Sequence, residues 1–290
     1  MPEKTAARYV LTTDCPDTTG VVAAIAGFLA RNNALITEAQ HFDDEISVRS
    51  FMRTVFHDNG LGLPPIAELE RDFAESVAAP FDMTWKFRDL RQRCRVVVGV
   101  SKAGHCLNSM LHRWSTGALP VDIAAVISNH QDLRSLAEWH GVPYHYFPIS
   151  EGRRNEQEQR IADLFERVEA ELFVLARYMQ ILSPEACAHF SGRAINIHHS
   201  FLPGFKGARP YHQAHARGVK IIGATAHYVT TDLDEGPIIE QAVERVDHSA
   251  SPDDMALVGS DLESLVLNRA VHWHAERRVF QNGRRTVVLR

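Results

Sequence analysis

Apolar and polar positions along this chain repeat with two periods, and the switches between them mark the elements. "RYVLTTDC" alternates and predicts a short strand. In "PDTTGVVAAIAGFLARNNA", Val22, Ile25, Ala26 and Leu29 fall at helical spacing. Asn32 and Asn33 follow, a residue type that tolerates left-handed backbone at a helix end. "LITEAQHFD" and "ISVRSFMRTVF" read as strands and "HDNGLGLPP" as a turn cluster. "IAELERDFAESVAAPF" reads as an amphipathic helix and "DMTWKFRDL" as a last strand. The order βαββαβ predicts a ferredoxin-like unit.

Past the charged segment "RDLRQRCR" the pattern changes. "VVVGV" is apolar throughout, as in strands buried on both faces of a parallel sheet. Helix and strand then alternate: "GHCLNSMLHRWSTG", "VDIAAVIS", "LRSLAEWHG", "PYHYFPI", "NEQEQRIADLFERVEA", "LFVLARY", "SPEACAHFSG", "AINIHHS". This alternation predicts a doubly wound, mostly parallel sheet with right-handed crossovers. A long helix, "DDMALVGSDLESLVLNRAVHWHAERR", and a strand, "TVVLR", close the chain. The expected organisation is α/β in two domains, residues 1–84 and 94–290, joined by a linker at 85–93.

Composition narrows the class. With 290 residues and 45% hydrophobic content, the chain can bury a sizeable core. A formal net charge of -5 gives no general footprint for nucleic acid. The longest apolar runs are strand-sized, far short of a membrane span. No apolar segment follows the charged N-terminus "MPEKTAARYV", so no secretion signal and a cytoplasmic location are expected. Cys15, Cys94, Cys106 and Cys187 form no CxxC pair and read as reduced thiols.

Candidate chemistry gathers at "INIHHSFLPGFKGARPYH". Strand side chains alternate faces, so Asn196 and His198 should point one way and Ile195, Ile197 and His199 the other. Ligands of open α/β sheets bind beyond the carboxyl ends of strands, and these residues end one. "GATAHYVTTDLDEGPIIEQ" supplies acids: Asp232, Asp234 and Glu235 lie in a loop between two apparent strands. An Asn donor and an imidazolium can stabilise an oxyanion, while a carboxylate orients the His or takes a proton from the nucleophile. Taken singly, Asn-x-His also fits a structural polar residue at a strand end, and the acidic loop fits a solvated turn. A metal held by His198, His212, His215 and His227 is another option, since "HQAH" puts two histidines at i, i+3. No known zinc spacing repeats here, so no metal is expected. Spacing alone reaches an α/β enzyme acting on a carbonyl.

The ordered series of motifs goes further. Asn-x-His, then Ser-x-Leu-Pro-x-Phe-x-Gly, then His-Tyr-Val and Leu-Asp-x-Gly-x-Ile-Ile-x-Gln resembles the folate-dependent formyltransferase family. "NIHHSFLP", "GARPYHQA" and "GATAHYV" are similar to its hydrolytic branch, and "DCPDTTGVVAAIAGFLARNNALITEAQHF" is similar to an ACT domain. The resemblance covers essentially the whole chain. It implies hydrolysis of 10-formyltetrahydrofolate to formate and tetrahydrofolate in one-carbon and purine metabolism, with no tightly bound cofactor. The alternative is formyl transfer to a small amine. Asn196, His198 and Asp234 match the family's catalytic residues. Gln180, Ile181 and Leu182 match the segment lining the pterin pocket, with Gln180 where transferases usually carry Arg. Thr230 and Thr231 match the other wall, and His227 would orient the Asp, line the pocket or serve structure. Transformylase relatives carry a Gly-rich phosphate cradle where this chain has "GVSKAGHCLNSML" with His105. The chain also stops soon after "TVVLR", where methionyl-tRNA formyltransferases continue. Water is therefore the expected nucleophile. The ACT-like half implies a small amino-acid effector, glycine or methionine, near Asp17, Gly20 and Asn33 at a domain interface, or else a role in assembly alone. A homo-oligomer is expected.

Overall fold

The computed structural model describes residues 7–149, 153–204 and 210–290. The chain separates into two units. The first comprises the chain up to Arg93 with Glu276–Asn282 and Val287–Arg290; the second comprises Cys94–Ala275 with Gly283–Thr286.

In the first unit, β1 (Arg8–Pro16), β2 (Ala34–Asp44), β3 (Arg49–Asp58) and β4 (Thr84–Asp89) form an antiparallel sheet in the order β2-β3-β1-β4. With α1 (Val21–Arg31) and α2 (Ile66–Phe73), this is the expected ferredoxin-like unit. The helical spacing of α1 buries Val21, Ile25, Phe28 and Leu29 in one core with Leu11, Phe56 and Phe73. The second helix does not stay α-helical. It runs on as a π turn at Ala74–Ala78 and a 3-10 turn ending at Phe81, where Pro80 cannot supply a helical N–H. Arg53, 2% exposed, pairs with Glu38 at 2.8 Å, and its Nε donates to the Glu276 carbonyl at 2.9 Å. This helps attach the C-terminal residues to the unit.

The second unit is a seven-stranded sheet. Its strands are β5 (Cys94–Val100), β6 (Val121–Ser128), β7 (Tyr144–Tyr146), β8 (Leu172–Leu175), β9 (Ala194–His198), β10 (Ile221–Tyr228) and β11 (Ile238–Arg245). Their order is β11-β10-β9-β8-β5-β6-β7. Strands β5 to β9 pair in parallel and β10 and β11 antiparallel, so the sheet is mostly parallel as expected. The crossover segments carry α3 (His105–Ser115), α4 (Arg134–Trp139), α5 (Arg154–Arg167) and α6 (Pro184–His189). From β5 the chain winds outward through β6 and β7, then returns to place β8 on the other side of β5. That reversal opens a crevice beyond the carboxyl ends of β5, β8 and β9.

Three elements depart from the hydropathy pattern. The strand expected over "LFVLARY" ends at Leu175 because Arg177 takes left-handed backbone, φ 65°. The strand over "PYHYFPI" shrinks to three residues. "AINIHHS" ends at His198, so the alternation that turned His199 away does not reach it. Two elements had no place in the expected order: α7 (Pro210–Ala216), which carries the "HQAH" histidines, and β12 (Val279–Asn282). The last helix, α8 (Pro252–Ala275), packs on β10 and β11 and on α3, and β13 (Arg285–Val288) follows it. Among the described residues, no helix is long and apolar enough to cross a membrane.

Candidate active site

Cross-strand register assembles the centre of the site. In the β9–β10 pair, Asn196 lies opposite His227 and His198 opposite Thr225. Alternation puts Asn196 and His198 on one face, as read from the sequence. A register shift in the β10–β11 ladder at Ala226/His227 accompanies His227, which is 3% exposed.

The His227 tautomer follows from its contacts. Its Nδ1 lies 2.9 Å from the Tyr228 carbonyl, which can only accept, so Nδ1 carries the proton. Nε2 is then an acceptor, and the Asn196 amide donates to it at 3.3 Å. This fixes which end of the Asn196 amide faces His227 and leaves its second N–H for a ligand. Burial, the largest influence, pushes the His227 pKa down, consistent with a neutral ring.

Asp234 closes the set. Its Oδ2 accepts from His198 Nδ1 at 3.2 Å, and its Oδ1 lies 3.8 Å from His227 Nε2. Burial would raise the Asp234 carboxyl, but the His198 hydrogen bond and the neighbouring imidazoles outweigh it and hold it below the usual range. Asp234 is therefore a carboxylate. It sits at φ 57°, a conformation Asp tolerates better than most residues. Two residues on, a Cβ at Gly236 would lie 1.7 Å from the Tyr228 carbonyl oxygen, so only glycine fits the loop that presents Asp234. His198 is 5% exposed, and its Nε2 is buried with no hydrogen-bond partner among the described residues. An orphaned ring nitrogen in a cavity is free to serve a ligand.

The loop after β9 is tied down beneath this centre. The Leu202 N–H donates to Thr225 Oγ1 at 3.1 Å, Thr225 Oγ1 donates to the Ser200 carbonyl at 2.9 Å, and Gln241 Nε2 donates to the Leu202 carbonyl at 3.0 Å. The Phe205–Gly207 part of the loop motif lies outside the described residues.

These groups open onto a cavity of about 740 Å³, within the range for small-molecule sites. Gln180, Ile181, Leu182, Thr230 and Thr231 all line it, together with Asn196, His198, His227 and Asp234. One wall is mostly apolar and continuous with the core through Leu182, Cys187 and Val229. The other is ionic and had no counterpart in the sequence reading beyond His105. There Glu263, 1% exposed, pairs with His105 at 2.7 Å and Arg177 at 3.4 Å and accepts from the Tyr211 hydroxyl at 2.9 Å. The histidines that a metal reading would need are not gathered as a set among the described residues: His212 and His215 are exposed on α7. His105, Cys106 and Glu263 do bring ligand-type atoms within 4.8 Å. Arg177 already places a cation on Glu263, so this group does not fit a metal.

His199 also lines the cavity, against the alternation argument, with its ring stacked on His198 at 5.0 Å and 18°. Burial, then the nearby charges of Arg177 and His198, lower its pKa to about 4 from 6.5. The folded protein therefore binds fewer protons at this ring than the unfolded chain does between those values. This contribution to stability is complete above pH 6.5 and is lost as pH falls toward 4. It amounts to at most roughly 3 kcal/mol. Denaturant titrations at neutral and acid pH should show that acid sensitivity reduced in His199→Phe; an unchanged difference would contradict the assignment.

The residues named in the first unit are not brought together. Asp17 and Gly20 precede α1, with Gly20 at φ 100°, while Asn33 follows α1 at φ 60° and donates from Nδ2 to the Gly62 carbonyl. An eleven-residue helix, about 16 Å long, separates them.

Comparison with known proteins adds an independent line. The formyl transferase family model matches residues 94–271. A formyltetrahydrofolate deformylase of Corynebacterium sp. (strain P-1) is 48% identical over 283 residues, covering 98% of each chain. The crystal structure of a formyltetrahydrofolate deformylase from Burkholderia mallei superposes with a TM-score of 0.93 at 54% identity, over 98% of this chain and 100% of that one. That of Pseudomonas syringae pv. tomato superposes at 0.95 with 45% identity, over 100% of this chain and 96% of that one.

Proposed function

The chain belongs to the formyl transferase family, among its formyltetrahydrofolate deformylases, and we propose that it hydrolyses 10-formyltetrahydrofolate with Asn196, His198 and Asp234 as the reacting set. The observation that carries this reading is the chain of contacts from Tyr228 through His227 and Asn196, and from Asp234 to His198. It ends in two free functions beside one cavity, the second amide N–H of Asn196 and Nε2 of His198.

The pterin end lies along Gln180–Leu182 and Thr230–Thr231, and the formyl group reaches Asn196 and His198. With His198 protonated and paired to Asp234, Nε2–H and the Asn196 amide both donate to the formyl oxygen. Water attacks the formyl carbon, and the tetrahedral oxyanion is held by those two donors. The Asp234–His198 pair accepts the proton of the attacking water. As the C–N10 bond breaks, the pair returns a proton to N10, releasing formate and tetrahydrofolate. No step requires a tightly bound cofactor, because the donors are side chains of the chain itself.

The alternative, transfer to a small amine, needs an acceptor site. An assay with 10-formyltetrahydrofolate and no amine separates the two readings. Deformylation releases formate and tetrahydrofolate in equal amounts; folate binding without release would overturn it. The finer readings concern the first unit. Since α1 separates Asp17 and Gly20 from Asn33, a glycine or methionine effector would be held by residues from two copies, in keeping with a homo-oligomer. Calorimetric titration with each amino acid tests this: heat at millimolar concentration supports an effector, and none leaves assembly as the unit's role. A cytoplasmic location and a link to one-carbon and purine metabolism remain part of this proposal.

A further inference from the structure

The ionic wall holds a cation whose donors are not used. Arg177 lines the cavity together with Asn196 and His198, and it is the one Arg or Lys among the described lining residues. Its Nε lies 3.4 Å from Glu263 Oε2, an ion pair without a hydrogen bond. Nε and Nη1 are both buried with no hydrogen-bond partner among the described residues. Glu263 is served by other groups: Oε1 accepts from the Tyr211 hydroxyl at 2.9 Å, and Oε2 meets His105 at 2.7 Å. A charged donor buried without an acceptor is costly to keep unless a ligand completes it. The Arg177 side chain retains 17% exposure, so a molecule in the cavity can reach it.

The guanidinium is fixed close to the reacting set. Arg177 takes left-handed backbone, φ 65°, and its carbonyl accepts from the Ser101 N–H at 3.2 Å. Two residues on, the Met179 N–H donates to Ser101 Oγ at 3.0 Å, which ties the turn after β8 to the end of β5. After burial, the Arg177 charge is the next influence lowering the His199 pKa, and the His199 ring stacks on His198 at 5.0 Å. The charge is therefore felt one ring away from the nitrogen that meets the formyl group.

The reaction itself makes an acceptor for these donors. When C–N10 breaks and N10 takes its proton, the departing group carries the formyl oxygen and the oxygen of water. It ionises to formate, a new anion in a cavity that also holds the acids Asp232, Asp234 and Glu263. Its two oxygens match the planar fork of a guanidinium. We propose that Arg177 forms a product subsite, which takes up the formate anion as it leaves the carbon held by Asn196 and His198. This proposal rests on the deformylase reading and deepens it.

The test is direct binding. Carbon-13 formate is titrated with the protein, with and without tetrahydrofolate, and the broadening of its NMR signal gives the dissociation constant. Wild type should show saturable broadening in both conditions. Arg177→Lys keeps a cation beside Glu263 but loses the planar fork, and should weaken formate binding at least about tenfold. Arg177→Met should abolish saturation, and melting curves show which variants remain folded. No saturable broadening in wild type would overturn the subsite without recourse to either variant. A folded Arg177→Lys protein that binds formate as tightly as wild type would overturn it too. Displacement of formate by tetrahydrofolate would assign Arg177 to the carboxylates of the folate tail and likewise overturn it. Failure of wild type to release formate from 10-formyltetrahydrofolate would instead overturn the deformylase reading.

Discussion

Replacing Asn196 by Ala or Asp234 by Asn is expected to lower kcat for formate release by at least about a hundredfold, with the fold retained. The two losses have different causes. Asn196 supplies one of two donors to the oxyanion, and removing a donor of this kind costs roughly 3–4 kcal/mol in the transition state. Asp234 is a carboxylate whose Oδ2 accepts from His198 Nδ1 at 3.2 Å. An Asn there keeps the volume but loses the charge that supports an imidazolium and the proton acceptor for water. Neither side chain belongs to the apolar core, so melting temperatures should stay near wild type. Near-normal kcat in both variants would remove these residues from the chemistry.

Gly236→Ala is expected to be as damaging without altering any reacting group. The new methyl would meet the Tyr228 carbonyl oxygen at 1.7 Å and His227 Nδ1 at 3.1 Å. Backbone cannot swing aside as a flexible side chain would. The Tyr228 N–H is also bonded to the Pro237 carbonyl at 2.9 Å, so the strands flanking the loop must part. Overpacking of this kind costs about 3 kcal/mol, or roughly 10 °C in melting temperature for a unit of this size. Displacing Asp234 and His227 by about 1 Å should cost a further hundredfold in kcat. Gly27→Ala is the control: its methyl would meet only the end of the Arg31 side chain at 3.2 Å, in a helix that Ala favours. Melting curves and kcat for both variants check this, and a Gly236→Ala protein that melts and turns over like wild type would contradict the loop geometry.

How much was legible in the sequence depended on whether a feature is local. Period-two and period-3.6 patterns placed most strands and helices of both units, α7 and β12 excepted, because each follows from a few neighbouring residues. The shared face of Asn196 and His198 was legible for the same reason. His199 was misread because alternation holds only while a strand lasts, and β9 ends one residue earlier. The left-handed Arg177 likewise cut short a strand that apolar content extended. The ionic wall was the larger omission. His105, Arg177, Tyr211 and Glu263 come from distant segments, and no spacing connects them. One signal was available: Glu263 shares the buried stripe of α8 with Met255, Gly259, Leu262, Val266 and Leu267. An acid on the apolar face of a helix requires partners.

The most direct test of the account is single-turnover hydrolysis of 10-formyltetrahydrofolate in oxygen-18 water without amine, for wild type and Asp234→Asn. The expected result is formate and tetrahydrofolate in equal amounts, one labelled oxygen per formate, and a rate at least about a hundredfold lower in the variant. Formate released by Asp234→Asn at the wild-type rate, or no formate from wild type, would contradict it.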